Sequence, residues 1–258
     1  MSAIIRSAVI LCGGKGTRLG TLGKKTPKSL VKIHNYPILW FILKILKKNK
    51  FNHFILPVGF QGKKIKKYIS SHRELNKLNI DLVDTGKNTS IAKRIYRIKR
   101  KISSQNFILV NGDAIFNFDL NKIFNNHVKK KNDMTFIGCE AKLNFGIVGK
   151  IKNKIVSFER DVDFNSIKKI KNSNFLGYVY SGISIMNKKL LKKNFKNFEN
   201  FEKSFYPPII KKFKTNLEQI QGFWSSIDNV KDMEDLNKKK NMKKYNAVKK
   251  LKKQIKNY

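Results

Sequence analysis

The sequence predicts an α/β fold: one domain built on a mostly parallel mixed sheet with helices on both faces. Three observations predict it. Short apolar runs alternate with amphipathic stretches as far as Cys139, the pattern of a parallel sheet built from βαβ units. The first run ends in a basic, glycine-rich loop, and open α/β sheets keep their ligands beyond the carboxyl ends of strands. The 258 residues are 41% hydrophobic, with no internal repeat and no Pro/Ser linker, which suffices for a single core.

Each element follows from local pattern. Ser7–Cys12 is an apolar strand. Pro37–Lys48 is a helix, opened by a proline whose fixed φ suits the first turn. His53–Val58 reads as strand, Lys63–Ser70 as helix, Ile80–Val83 as strand and Ser90–Lys101 as helix. Phe107–Val110 is strand, Asn121–Lys129 helix and Met134–Cys139 strand. The second half is richer in strands. Gly146–Ile151 and Lys154–Phe158 form a hairpin across Lys152-Asn153, and Tyr178–Met186 is a further strand. Ser204–Lys214 and Asn229–Lys238 are helical. A domain of residues 1–238 is expected, followed by a lysine-rich helix or tail over 239–258.

Composition narrows the class. The formal net charge is +39, from 56 Lys+Arg against 17 Asp+Glu. The lysines are spread over the whole chain, and aromatics do not interleave with them as a base-stacking platform requires, so no specific nucleic-acid partner is expected. The positive field still favours polyanionic substrates. No window approaches the roughly 18 uncharged apolar residues of a membrane span. The nearest, Tyr36–Leu46, contains Lys44, so no membrane partner is expected. Met1–Cys12 lacks the apolar core and cleavage site of a signal peptide. Cys12 and Cys139 fit no metal spacing and read as reduced thiols of a cytoplasmic protein. His34, His53, His72 and His127 show no catalytic or metal spacing.

The chemistry concentrates in Gly13-Gly14-Lys15-Gly16-Thr17-Arg18. Glycines allow sharp bends and close approach, consecutive N–H groups can cradle an anion, and Lys15 and Arg18 add positive charge. This is a phosphate-binding arrangement, yet it matches neither the Walker nor the dinucleotide glycine pattern. Thr26-Pro27-Lys28-Ser29 and Pro37-Ile38-Leu39-Trp40 follow. Further on come Val58-Gly59-Phe60-Gln61-Gly62, Val83-Asp84-Thr85-Gly86, Val110-Asn111-Gly112-Asp113 and Gly222-Phe223-Trp224-Ser225-Ser226-Ile227-Asp228. In order and spacing these segments resemble the sugar-1-phosphate nucleotidyltransferases over about Ser7 to Leu236, and among them most closely the glucose-1-phosphate cytidylyltransferases.

That resemblance implies a Rossmann-like nucleotidyltransferase fold with a sugar-binding second half. It implies an enzyme that joins a nucleoside triphosphate to a sugar 1-phosphate and releases pyrophosphate. CTP is favoured, with glucose or a related hexose or heptose. Arg18, Lys28 and Asp113 would be catalytic. Gly13, Gly14, Lys15, Gly16, Thr17, Arg18 and Gly112 would hold the nucleotide. Asp113 and Asp228 would bind Mg²⁺. Glu159, Arg160, Ser181 and Gly182 would receive the sugar phosphate, although the family's Glu-Lys-Pro is here Glu159-Arg160-Asp161 and Tyr180 replaces an Asn. Where the cytidylyltransferases carry Thr-Gly-Gly-Arg-Leu, this chain reads Ile91-Ala92-Lys93-Arg94-Ile95, so the base contacts are expected to differ. A homo-oligomer is left open. The alternatives are a relative that binds nucleotide without turnover and, on charge alone, a basic nucleic-acid-associated protein.

Overall fold

The structure is a computed structural model, and it describes residues 4–14, 16–140, 147–151, 154–159, 178–192 and 201–258. Its centre is a seven-stranded sheet. Numbered along the chain, the strands are β1 Ser7–Leu11, β2 Lys32–Ile33, β3 Tyr36–Pro37, β4 His53–Val58, β5 Ile80–Asp84, β6 Asn106–Asn111 and β7 Ala114–Asn117. There follow β8 Met134–Glu140, β9 Ile147–Ile151, β10 Lys154–Glu159, β11 Tyr178–Asn187, β12 Thr215–Gln219 and β13 Phe223–Ser226. The large sheet has the order β12-β8-β11-β6-β1-β4-β5. β11 runs antiparallel to both neighbours and every other pairing is parallel.

The central strands are apolar because both faces are covered. Ala8 and Ile10 belong to one buried cluster and Val9 to the other, as the two-residue period of a strand requires. Helix α2 (Ile38–Lys48) covers the first face and is buried from Ile38 through Leu46. Lys44 within it is 4% exposed and places its ammonium 2.6 Å from Glu74. Such burial arises because α2 lies between the sheet and the C-terminal helix, Met242–Ile255, whose Val248, Leu251 and Ile255 are fully buried in the same cluster. The lysine-rich end of the chain is therefore a packed helix that shares the core with residues 1–238. On the second face lie Ile91–Ile98 and Phe201–Lys212, which supply Ala92, Ile95, Ile98, Phe205 and Ile209.

The observed elements depart from the expected ones at helix ends and in short elements. The helix expected to reach Lys101 stops at Ile98. The turn of the β9/β10 hairpin lies outside the described residues, while the two strands pair antiparallel. Five strands, β2, β3, β7, β12 and β13, were not anticipated. β12 adds a parallel edge beside β8, and β7 pairs antiparallel with β13. The last pair assembles the site described below.

Beneath the sheet, His127 on the helix Leu120–Lys129 is 1% exposed, with Nδ1 2.8 Å from Thr135 Oγ1 and Nε2 3.2 Å from Asn106 Oδ1. Burial lowers its pKa to about 4, and the Asp133 charge offsets only part of this. Between the ordinary histidine value of about 6.5 and about 4, the unfolded chain binds a proton that the folded chain does not. Stability should thus fall as pH drops through that window, by on the order of 3 kcal/mol from this group. Denaturant midpoints measured from pH 7 to pH 4 should show a shallower fall in His127→Gln than in wild type. Identical slopes would show that His127 is not the group responsible.

Candidate active site

The parallel strands β1, β4, β5 and β6 end on one side of the sheet, and the segments that follow β1, β5 and β6 line a cleft of about 420 Å³. Gly13, Gly14 and Gly16 line it below β1, and Asn111, Gly112 and Asp113 line it after β6. The loop turns at Gly16, whose carbonyl accepts from the Leu19 N–H at 3.0 Å as the chain enters a 3-10 turn over Thr17–Leu19. Lys15 lies outside the described residues. Cys12 also lines the cleft, but burial raises its thiol to about 12, so it stays protonated and is no nucleophile.

Two carboxylates meet at the mouth of this cleft. β6 delivers Gly112 and Asp113, and the chain returns as β7. β13 pairs with β7 so that Ser226 faces Ala114, and the Ile227 N–H donates to the Asp113 carbonyl at 2.9 Å. That pairing sets Asp228 beside Asp113. Pro27 leads into a 3-10 turn over Lys28–Leu30, which brings the Lys28 ammonium to 2.9 Å from Asp113 Oδ2 and 3.0 Å from Asp228 Oδ1. Arg18 Nη1 lies 3.1 Å from the same Asp228 oxygen, although its side chain is 78% exposed. The helix Val230–Asn237 is capped by Asn229 in a reciprocal box with Asp232, whose carboxylate also accepts the Asp228 N–H at 2.8 Å. The Asp228 carboxylate is thereby left free for cations. Burial alone would raise its pKa, but hydrogen bonding and charge from Lys28, then Ser226 and Arg18, hold it below the usual carboxylate value.

Behind the cleft-lining Asn111 lies β11, paired with β6. Its register shifts between Tyr180 and Ile183, and Gly182 sits there at φ +76. A Cβ at Gly182 would stand 2.7 Å from Asn111 Nδ2, so only glycine lets the bulge approach the cleft. The Ser181 hydroxyl does not face the cleft: it is 2% exposed and donates to the Ile137 carbonyl at 2.7 Å. The Ser181 hydroxyl is thereby committed to the sheet. The Ser181 carbonyl instead accepts from Trp224 Nε1 at 3.0 Å, tying the bulge to β13. Glu159 ends β10, and Arg160 lies outside the described residues.

At the fourth wall, Thr89, Ser90 and Ile91 face the cleft while Ala92 is fully buried in the core. Three contributors escaped sequence reasoning. Asn111 faces the cleft, Trp224 holds the bulge, and Arg94 lies under the glycine loop. Arg94 did leave a signal, since it falls on the face that carries Ile91, Ile95 and Ile98, where a cation needs a buried partner. Among the described residues no group of three or more His, Cys, Asp and Glu gathers at one point.

The chain belongs to the nucleotidyl transferase family, whose model matches residues 7–242. It is therefore a nucleotidyltransferase, and its curated relatives work on sugar phosphates. It is 28% identical over 251 residues to the probable glucose-1-phosphate cytidylyltransferase of Bacillus subtilis, covering 90% of this chain and 94% of that protein. It is 27% identical over 201 residues to the D-glycero-alpha-D-manno-heptose 1-phosphate guanylyltransferase of Aneurinibacillus thermoaerophilus, covering 77% and 82%. HddC from Yersinia pseudotuberculosis, crystallised with GMP-PN, superposes with a TM-score of 0.68 at 21% identity, covering 95% of this chain and 99% of that one. That likeness is one of fold. No helix among the described residues is long and apolar enough to cross a membrane.

The bridge predicts a measurable titration. Lys28→Met removes the favourable influences that Asp228 feels most, leaving burial opposed only by Ser226 and Arg18. The Asp228 pKa should rise, read by carboxyl NMR titration. An unmoved value would show that Ser226 and Arg18 set it without Lys28.

Proposed function

We propose that this chain condenses a nucleoside triphosphate with a sugar 1-phosphate, with CTP favoured and glucose or a related hexose or heptose as the sugar. The observation that carries this reading is Lys28, which gathers Asp113 and Asp228 at one point beside the glycine loop. A phosphate oxygen of the sugar 1-phosphate attacks the α-phosphorus. A P–O bond forms there, the bond to the β-phosphate oxygen breaks, and pyrophosphate leaves with that electron pair. The nucleophile is already an anion, so no general base is needed, and positioning and electrostatics carry the rate.

The chain's residues divide that work. Gly13, Gly14 and Gly16 lead the loop along the triphosphate. Arg18 presents a planar fork to the leaving phosphates, and its exposure leaves it free to turn toward them. Lys28 carries its charge to the α-phosphate. Asp113 and Asp228 are hard oxygen donors already drawn to one cationic centre, and this supports Mg²⁺ as the cofactor they hold. When bound, Mg²⁺ supplies neutralisation of phosphate charge. The cytosine preference draws on the sequence segments shared with the cytidylyltransferases and on the Bacillus subtilis relative.

The test is pyrophosphate release, screened for four nucleoside triphosphates against several sugar 1-phosphates. Release with one sugar 1-phosphate and Mg²⁺ is expected. Nucleotide binding without release from any pair would make the chain a binding relative. Asp113→Asn and Asp228→Asn should each lower turnover about 10²-fold or more, roughly 2.7 kcal/mol of barrier. Arg18→Lys keeps the charge and loses the fork, so nucleotide binding should persist weakly while turnover falls. Ile91 faces the cleft, and the Ser90 and Thr89 hydroxyls are engaged with Lys93 N–H and the Thr85 carbonyl. Base readout at this wall therefore has a single O–H donor left, that of Ser90, whose oxygen only accepts from Lys93, and CTP and UTP should differ by about tenfold or less in kcat/KM. A preference of several hundredfold would show that the base is read elsewhere.

A further inference from the structure

Arg94 is the most fully enclosed cation at the cleft. It is 4% exposed, on a helix whose neighbouring inward positions, Ala92, Ile95 and Ile98, are fully buried. Its guanidinium passes under the loops that follow three parallel strands. Nη2 donates to the Gly13 carbonyl at 2.9 Å, after β1. Nη1 donates to the Val58 carbonyl at 3.1 Å, at the end of β4, and to Thr85 Oγ1, just after β5. The Thr85 hydroxyl itself donates to the Val58 carbonyl at 2.7 Å, and Arg97 donates to the Thr85 carbonyl from the next turn of the helix. These acceptors are neutral. Among the described residues, no ion pair involves Arg94.

Gly13 is shaped to this guanidinium. A Cβ there would lie 2.3 Å from Arg94 Nη1, 2.4 Å from Cζ and 2.7 Å from Nε. A Cβ at Gly59, after β4, would lie 2.5 Å from Nη1. At Gly14 the added atom would meet nothing within 4 Å. The glycine loop thus divides its labour, with Gly13 admitting the cation from beneath and Gly14 left open on the cleft side. A buried guanidinium with no carboxylate is unfavourable by itself. Burial first, and the charge of Arg97 second, pull its pKa down, and Asp84 offsets this in part. An anion in the cleft above is the partner this arrangement lacks.

We propose that Arg94 is the positioning residue of the nucleotide site: it pins the Gly13 carbonyl to the ends of β4 and β5, and so holds the glycine loop open to the phosphates of the incoming triphosphate. The role rests on the nucleotidyl-transfer reading above and extends it, since Arg94 shapes the nucleotide half of the site and leaves the sugar half alone. Gly13→Ala should then act through Arg94. The new methyl group would displace the far end of a flexible side chain, and the loop would lose its tether as though the arginine were gone.

A double-mutant cycle tests this with Gly13→Ala, Arg94→Met, the double variant, and Arg94→Lys. Three quantities are read: thermal midpoint, dissociation constants for CTP and for inorganic pyrophosphate by calorimetry, and KM for each substrate. Arg94→Met and Gly13→Ala should each weaken CTP and pyrophosphate about tenfold or more. KM for the sugar 1-phosphate should stay within about twofold. The double variant should be no weaker than Arg94→Met alone, because both changes break one contact. Arg94→Lys should recover part of the loss, since it keeps a charge but cannot span three acceptors. Additive losses in the double variant, or equal weakening toward both substrates, would overturn the proposal. Should Arg94→Met not fold, Gly13→Ala against Arg94→Lys carries the same comparison. Because pyrophosphate and CTP binding are measured without turnover, a wild type that binds both but transfers to no sugar 1-phosphate would sink the transfer reading and leave Arg94 tested. A wild type that binds neither would sink both.

Discussion

Asp113 and Asp228 carry the same charge, come from opposite halves of the chain, and must lie side by side. The rest of the structure answers that constraint. Backbone pairing of β7 with β13 brings the two residues together, and the ammonium of Lys28 makes their proximity tolerable. Neither device suffices alone. Strand pairing without the cation would set two carboxylates against each other in a half-buried place, and the cation without the pairing would face two loops free to separate. The large sheet serves this meeting point. β1 and β6 are adjacent and parallel, so the glycine loop and Asp113 emerge at the same edge.

The first half of the fold was legible because its signals are long and unmixed. β1, β4 and β6 are apolar on both faces, and α2 is apolar from Ile38 to Leu46 but for Lys44, so each could be read from a few residues. The strands that were missed are short or belong to edges. β7 and β13 have four residues each and are defined by one another, a relation between segments on either side of β8 and β11 that no local pattern encodes. β12 alternates only weakly and gains its identity from β8. The same division runs through the site. Arg18, Lys28, Asp113 and Asp228 stand in ordered motifs, and the structure brings all four within ion-pair distance of one another in a chain of contacts. Arg94 and Trp224 act on backbone carbonyls, Gly13 and Ser181, and a carbonyl leaves no trace in the sequence. The bulge glycine was visible as Ser181-Gly182, yet the direction of the Ser181 hydroxyl was not, because it depends on the pairing of β11 with β8.

Electrostatics explains why so basic a chain keeps its few acids where it does. Of 17 acidic residues, two form the meeting point, and Asp232 shares a capping box beside it. The surrounding excess of lysine sets a field that draws polyanions in, while the paired carboxylates are the local exception that lets a cation stay. Attraction from afar and selectivity nearby are thus supplied by different residues.

The two tryptophans occupy very different places. Trp40 is 1% exposed, edge-on to Phe41, with its indole N–H on Glu74. Trp224 is half-buried on β13, between Asp228 and the bulge of β11, and its indole N–H ends on the Ser181 carbonyl. The chain therefore contains its own pair of optical reporters. The emission of Trp40 is a constant background set by the core. The emission of Trp224 answers to whatever alters the contact between β13 and the bulge of β11. Selective quenching by a small solute would reach the second and spare the first, so the state of the site can be followed in the unlabelled protein by ultraviolet fluorescence alone.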